Sequence, residues 1–209
     1  MGMWHTVQQG EYLSKIALQH GFSDFGTIWD HAQNSELKKT RSNPSILYPG
    51  DRVFIPVKEP KETSAATNKK HRFEAKRPEL ALRIVLRDLN GEPLANTECQ
   101  LQIDGETHDL TTSGDGKIEH PLPMNAGQGR LRFRDVELPL KIGHLDPVDE
   151  LSGWRERLNN LGYNAGTSED SESRQLRYAV EEFQCEHCLT VDGRCGPKTQ
   201  AKLIEVYGC

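Results

Sequence analysis

No apolar run long enough to cross a membrane is present: stretches such as Val53 to Val57 are short, and a spanning helix needs about 20 predominantly apolar residues. An excess of positive charge is missing too. Twenty-six Lys and Arg stand against 31 Asp and Glu, a formal net charge of −5 over 209 residues, so the chain as a whole is not drawn to phosphate backbones or anionic lipid. Neither nucleic acid nor a membrane is an expected partner. Cysteine is scarce and oddly placed, with five in all and four of them (Cys185, Cys188, Cys195, Cys209) in the last 25 residues, which excludes a disulfide framework for the whole chain. Residues Met1 to Gly10 lack the basic-then-apolar order of a secretory leader. The expected compartment is the cytoplasm by default, with delivery to the periplasm without a signal peptide as the other route.

Catalytic signatures are also missing. There is no His-Glu-x-x-His helix, no Gly-x-Ser-x-Gly elbow and no glycine-rich phosphate loop. The eight histidines are scattered along the chain, and the pair Glu181-Glu182 lies beside Val180 and Phe183 on what reads as the wet side of a helix. The expectation is a protein that is not an enzyme, without cofactor and without a metal.

Composition divides the chain. Residues 58 to 77 carry seven basic and three acidic residues around a Ser/Ala/Thr centre, too little apolar surface to offset the entropy of ordering, so 58–78 reads as a flexible basic linker. Near Gly143 to Pro147, alternating apolar residues give way to helical spacing. The expected domains are therefore 1–57, 79–143 and 144–209, a multidomain α+β protein. In the first, Leu13, Ile16, Ala17 and His20, and then Phe25, Ile28, Trp29 and Ala32, have helical spacing between extended segments Trp4 to Val7 and Arg52 to Ile55. In the second, apolar residues alternate through Leu80 to Leu86, Cys99 to Ile103, Leu131 to Phe133 and Val136 to Ile142, with turn signals at Asn90-Gly91, Asp104-Gly105 and Gly114-Asp115-Gly116. That pattern predicts a small antiparallel β-sandwich. In the third, Leu151, Trp154, Leu158 and Leu161 form one helical stripe and Leu176, Ala179, Val180 and Phe183 another, and a last helix is expected from Pro197 to a stop at Gly208.

The motifs His5-Thr6-Val7-Gln8-Gln9-Gly10-Glu11-Tyr12-Leu13, then Asn43-Pro44 and Ile46-Leu47-Tyr48-Pro49-Gly50-Asp51-Arg52-Val53, resemble the LysM domain. The resemblance implies a βααβ fold that binds glycans containing N-acetylglucosamine, above all peptidoglycan or chitin. By that resemblance the binding loops are Gly10, Glu11, Tyr12, Leu13 and Ser45, Ile46, Leu47, Tyr48, Pro49. The alternative is that Leu13, Ile46 and Leu47 are core. Two departures stand out: Ser35 to Ser42 is longer and more basic than usual, and Tyr12 stands where a Thr is commoner.

The run Trp154 to Tyr163, then Phe183-Gln184, then Val191-Asp192-Gly193-x-x-Gly196-Pro197-x-Thr199, looks like the three-helix peptidoglycan-binding domain. Most of these residues suit turns and core, with Gly193 and Gly196 fitted to positive φ and Asp192 and Thr199 to short polar bonds. Cys185-x-x-Cys188 with His187, Cys195 and Cys209 has spacing compatible with zinc, against which stand one disulfide or reduced, buried thiols. Cys99 alternates with core residues. In the middle, Gly91-Glu92-Pro93-Leu94-Ala95-Asn96 and Ser113-Gly114-Asp115-Gly116 are similar to prealbumin-like sandwiches. The order of the three modules is similar to peptidoglycan-binding proteins associated with bacterial type VI and related contractile secretion systems.

These resemblances imply non-catalytic binding of peptidoglycan or its fragments. Two weak sites joined by a 20-residue flexible linker, roughly 25 Å on average, would give avidity. The other class is a docking adaptor, chaperone or immunity component that meets a spike or effector protein and binds no sugar.

Overall fold

The computed structural model describes residues 2–59, 67, 69–70 and 80–209. Most of 58–78, read above as a linker, falls outside the described residues. What is described is mixed α and β, with six α-helices and small antiparallel sheets.

The first module pairs β1 (Met3–Thr6) with β2 (Arg52–Ile55), Met3 opposite Ile55 and Thr6 opposite Arg52. Between them run α1 (Leu13–Gln19), α2 (Gly26–Trp29), a 3-10 turn (Ala32–Asn34) and α3 (Ser35–Thr40). Two helices were expected, and the second was expected to reach Ala32. It stops at Trp29 because His31 takes an extended conformation and caps the 3-10 turn through its Nδ1, which accepts from the Gln33 N–H. Buried Asn34 then donates to the carbonyls of Ile28 and Phe54 and accepts from the Phe54 N–H. The basic stretch after it forms α3. Leu13, Ile16, Ile28, Val53 and Ile55 make the core.

The middle module has two sheets. One pairs β3 (Leu80–Val85) with β6 (Lys117–Leu122), and the other runs β5-β4-β7-β8, with β4 (Glu98–Ile103), β5 (Glu106–Thr111), β7 (Gln128–Phe133) and β8 (Val136–Lys141). Period-two alternation places Cys99, Leu101, Ile103, Leu131 and Phe133 inward, while Arg130 and Arg132 face water. Asp104-Gly105, both at positive φ, close the β4–β5 hairpin. Strands β5 and β6 were not expected from the apolar pattern.

The third module packs α4 (Leu151–Asn160), α5 (Arg174–Glu186) and α6 (Pro197–Tyr207) around Leu158, Leu176, Phe183 and Leu203. Pro197 opens α6 after Gly196, which takes an extended φ of −79 and not the positive φ expected of it, and Gly208 at φ 95 caps the helix. A cation lies inside: Arg157, 1% exposed, donates to the carbonyls of Asp146, Gly153 and Cys209 at 2.7–2.9 Å. Desolvation lowers its pKa, but the three carbonyls supply the hydrogen bonds that a buried charge requires.

Two seams join the modules. The first, made by Tyr12, belongs to the site below. The second joins sandwich and bundle: Arg87 donates to both oxygens of Glu186 at 3.0 Å, lies 4.7 Å from the ring centroid of buried Tyr163, and shares Glu186 with the Tyr163 hydroxyl, which donates at 2.6 Å. The Glu186 carboxyl stays below its usual range because the bonds from Tyr163 and Arg87 outweigh its desolvation.

Candidate functional site

The two loops that resemblance nominates do face each other, since the Leu13 N–H donates to the Pro44 carbonyl at 3.1 Å. Each is stiffened from within. The Glu11 carboxylate accepts from the Gln8 N–H at 2.9 Å and meets His5 Nε2 at 2.7 Å, and Lys15 Nζ donates to the Gly10 carbonyl. In the second loop the Asn43 side chain holds the Ser45 N–H, while Asp51 accepts from the Tyr48 N–H and, through both oxygens, from Arg41. Glu11, Ser45, Tyr48 and Pro49 are half-buried, and Gly10, Tyr12, Leu13, Ile46 and Leu47 are buried. Leu13 and Leu47 belong to the core of the module.

Tyr12 points elsewhere. It is fully buried among the apolar residues of the sandwich, and its hydroxyl donates to the Ala126 carbonyl at 2.8 Å. Burial, then Asp104, pushes the phenol well above its usual value. The backbone opposite is shaped to receive it. Gly143 has φ +81, and a Cβ there would lie 2.7 Å from Tyr12 Cδ1 and 2.8 Å from the Gly10 carbonyl, distances real Cβ atoms do not show. At Gly10, with φ +84, a Cβ would lie 2.8 Å from His144 Nε2. So half of the first loop is a docking face for the sandwich. The departure noted at position 12 has this physical role.

The second loop opens onto a different space. A cleft of about 950 Å³ lies where the three modules meet, within the roughly 300–1,000 Å³ of small-molecule sites. Of the nine nominated residues, Ser45 and Ile46 line it. The sandwich supplies apolar side chains such as Leu82 and Leu140, and the bundle supplies Ser152, Arg155, Asn160 and Glu169. The negative charge of Glu150, and then desolvation, raises the Tyr48 phenol above its usual value. Arg155 was missed in the sequence because nothing in the alternation Trp154-Arg155-Glu156-Arg157 separates a cleft residue from a solvated one.

In the bundle, the Asp-Gly-x-x-Gly-Pro-x-Thr signature gains a centre. Gln184 is 1% exposed; its Oε1 accepts from the Asp192 and Gly193 N–H groups, and its Nε2 faces Asp192 Oδ1, the Arg194 carbonyl and Thr199 Oγ1 at 2.9–3.0 Å. The motif therefore holds the α5–α6 loop.

The thiols are free. Cys185 and Cys188 are exposed at the end of α5, with Cys188 at φ 54, whereas burial pushes the Cys195 thiol up to about 12, which keeps it protonated and unreactive at neutral pH. Among the described residues no three His, Cys, Asp or Glu side chains converge as metal ligands, and no helix is long and apolar enough to cross a membrane.

No curated protein and no solved structure matches the chain. A family model does. Residues 152–203, from α4 into α6, match the family described as "Putative peptidoglycan binding domain", and this match, on the segment that supplies one wall of the cleft, supports peptidoglycan as the partner of the chain.

Proposed function

We propose that this chain is a non-catalytic peptidoglycan-binding protein, in which a LysM-like module, a prealbumin-like sandwich and a three-helix domain together present one glycan-binding cleft, and that it serves a type VI or related contractile secretion system. One observation carries the binding reading: the segment that matches the peptidoglycan-binding family places Ser152, Asn160 and Glu169 on a cleft that Ser45 and Ile46 also line. An N-acetylated sugar has apolar ring faces and methyls beside hydroxyl and amide groups, and a cleft with apolar sandwich residues and polar bundle residues offers both. The secretion-system role rests on the order of the modules.

Retention on purified sacculi, competed away by soluble muropeptide, is the expected result. Sacculus turbidity should not fall on incubation, and a fall would replace the binding reading with a hydrolytic one. The docking of Gly10 and Tyr12 against the sandwich favours a second reading, an adaptor in which sugar-binding folds have become protein contacts. A stable complex with a spike or effector protein, without sacculus retention, would establish that reading instead.

A further inference from the structure

The cleft is lined by charges of both signs, Arg83, Lys141 and Arg155 beside Asp146, Glu156 and Glu169, and its most buried charged side chain is incompletely bonded. Arg155 is 7% exposed. Its Nη1 donates to the Ser168 carbonyl at 2.7 Å, its Nη2 reaches Glu156 only at 3.4 Å, and its Nε has no partner among the described residues. A guanidinium has five N–H donors in a planar fork suited to a carboxylate, and a buried donor left unbonded is costly unless something completes it. The same wall carries the carboxylates of Glu156, Asp146 and Glu169, of which Asp146 is already held by the Ser152 hydroxyl at 2.6 Å. A plain polymer of N-acetylglucosamine has no ionised group to match either sign.

We propose that the three-module cleft takes the peptide-bearing unit of peptidoglycan, an N-acetylated amino sugar with a short peptide that has both a carboxylate and an ammonium group. The carboxylate docks on Arg155, and the ammonium lies toward Glu156 and Glu169. The sugar ring lies against the apolar sandwich side, with Ser45 closing the cleft from the first module. This rests on the peptidoglycan reading above and adds to it the chemical class recognised.

The test is calorimetric titration of the full chain with two soluble probes: a disaccharide muropeptide with a free carboxylate and a free amine, and tetra-N-acetylchitotetraose. The muropeptide should bind at least about tenfold more tightly, the scale of one charge-assisted hydrogen-bonded pair. Arg155→Gln should remove about that factor for the muropeptide and leave chitotetraose unchanged. Because Arg155 is buried, Ser45→Trp provides an independent variant, which fills the cleft from the other wall and should weaken both probes with the unfolding midpoint retained. Equal affinity for the two probes overturns the proposal, as does parental muropeptide affinity in Ser45→Trp. If sacculi are still retained in either case, peptidoglycan binding stands and this site for it falls; if the parent is not retained at all, both fall.

Discussion

Replacing Tyr12 by alanine should uncouple the first module from the sandwich without unfolding either. The ring is fully buried outside its own module's core, which is built from Leu13, Ile16, Ile28 and Val53, so the loss falls on the seam. Truncating a buried aromatic to alanine costs about 3–5 kcal/mol, and removing the hydroxyl alone, which leaves the Ala126 carbonyl unsatisfied, costs about 1–3 kcal/mol. The assay is urea unfolding in a Trp154→Phe background, where fluorescence from Trp4 and Trp29 follows the first module and circular dichroism follows the whole chain. Parent and Tyr12→Phe should give coincident transitions, with Tyr12→Phe shifted by the smaller amount. Tyr12→Ala should separate them, the fluorescence transition moving to lower urea. If Tyr12→Ala leaves the transitions coincident and the stability within about 0.5 kcal/mol of the parent, as for an ordinary surface change, the seam has no energetic weight and the reasoning is wrong.

Gly143→Ala tests the same seam from the other side: with φ +81 and no room for a Cβ, it should destabilise by more than about 1 kcal/mol and reproduce the split transition. Gln184→Ala orphans the Asp192 and Gly193 N–H groups at about 1–3 kcal/mol each; a bundle midpoint unchanged in thermal unfolding would refute the hub. His120, His144 and His187 all have lowered pKa values, each first by desolvation. Their neutral forms therefore favour the fold, and stability should be full above about pH 6.5 and decline as pH falls from there through the folded values, whereas a flat urea midpoint between pH 7 and 5 counts against it. Burial raises Tyr12, Tyr163 and Tyr207, the last to about 12, so their contribution is complete below about pH 10 and is lost as pH climbs beyond it, which spectrophotometric titration of the phenols should show as a late phase coincident with unfolding.

Local features were legible in the sequence and non-local ones were not. Helix α6 could be bounded from Pro197 and Gly208 because both ends are set by backbone chemistry at single residues. Strands β4 and β7 announced themselves through alternation, but β5 has Leu110 as its sole large apolar residue, and β6 interrupts its apolar positions with His120 and Pro121. Pairing to a stronger neighbour makes them strands. At the candidate site, the two loops could be read as neighbours, but the direction of their side chains could not: Leu13 and Leu47 turned into their own core, Ser45 and Ile46 onto the cleft, and Tyr12 into another module. The unusual Tyr was visible, its destination was not, because no pattern around position 12 encodes a partner in the sandwich.

The bond from Tyr12 to Ala126 spans 114 residues, which has a bearing on how the molecule assembles. Closing so long a loop carries an entropic cost that only finished surfaces can recoup, whereas the hairpins of the sandwich join near neighbours along the chain. During synthesis, then, the amino-terminal unit emerges first and waits with an aromatic ring in water until the ribosome has delivered its receptor. Docking comes late, and in that interval the unfilled partner surfaces are the part of this molecule most open to capture by another copy.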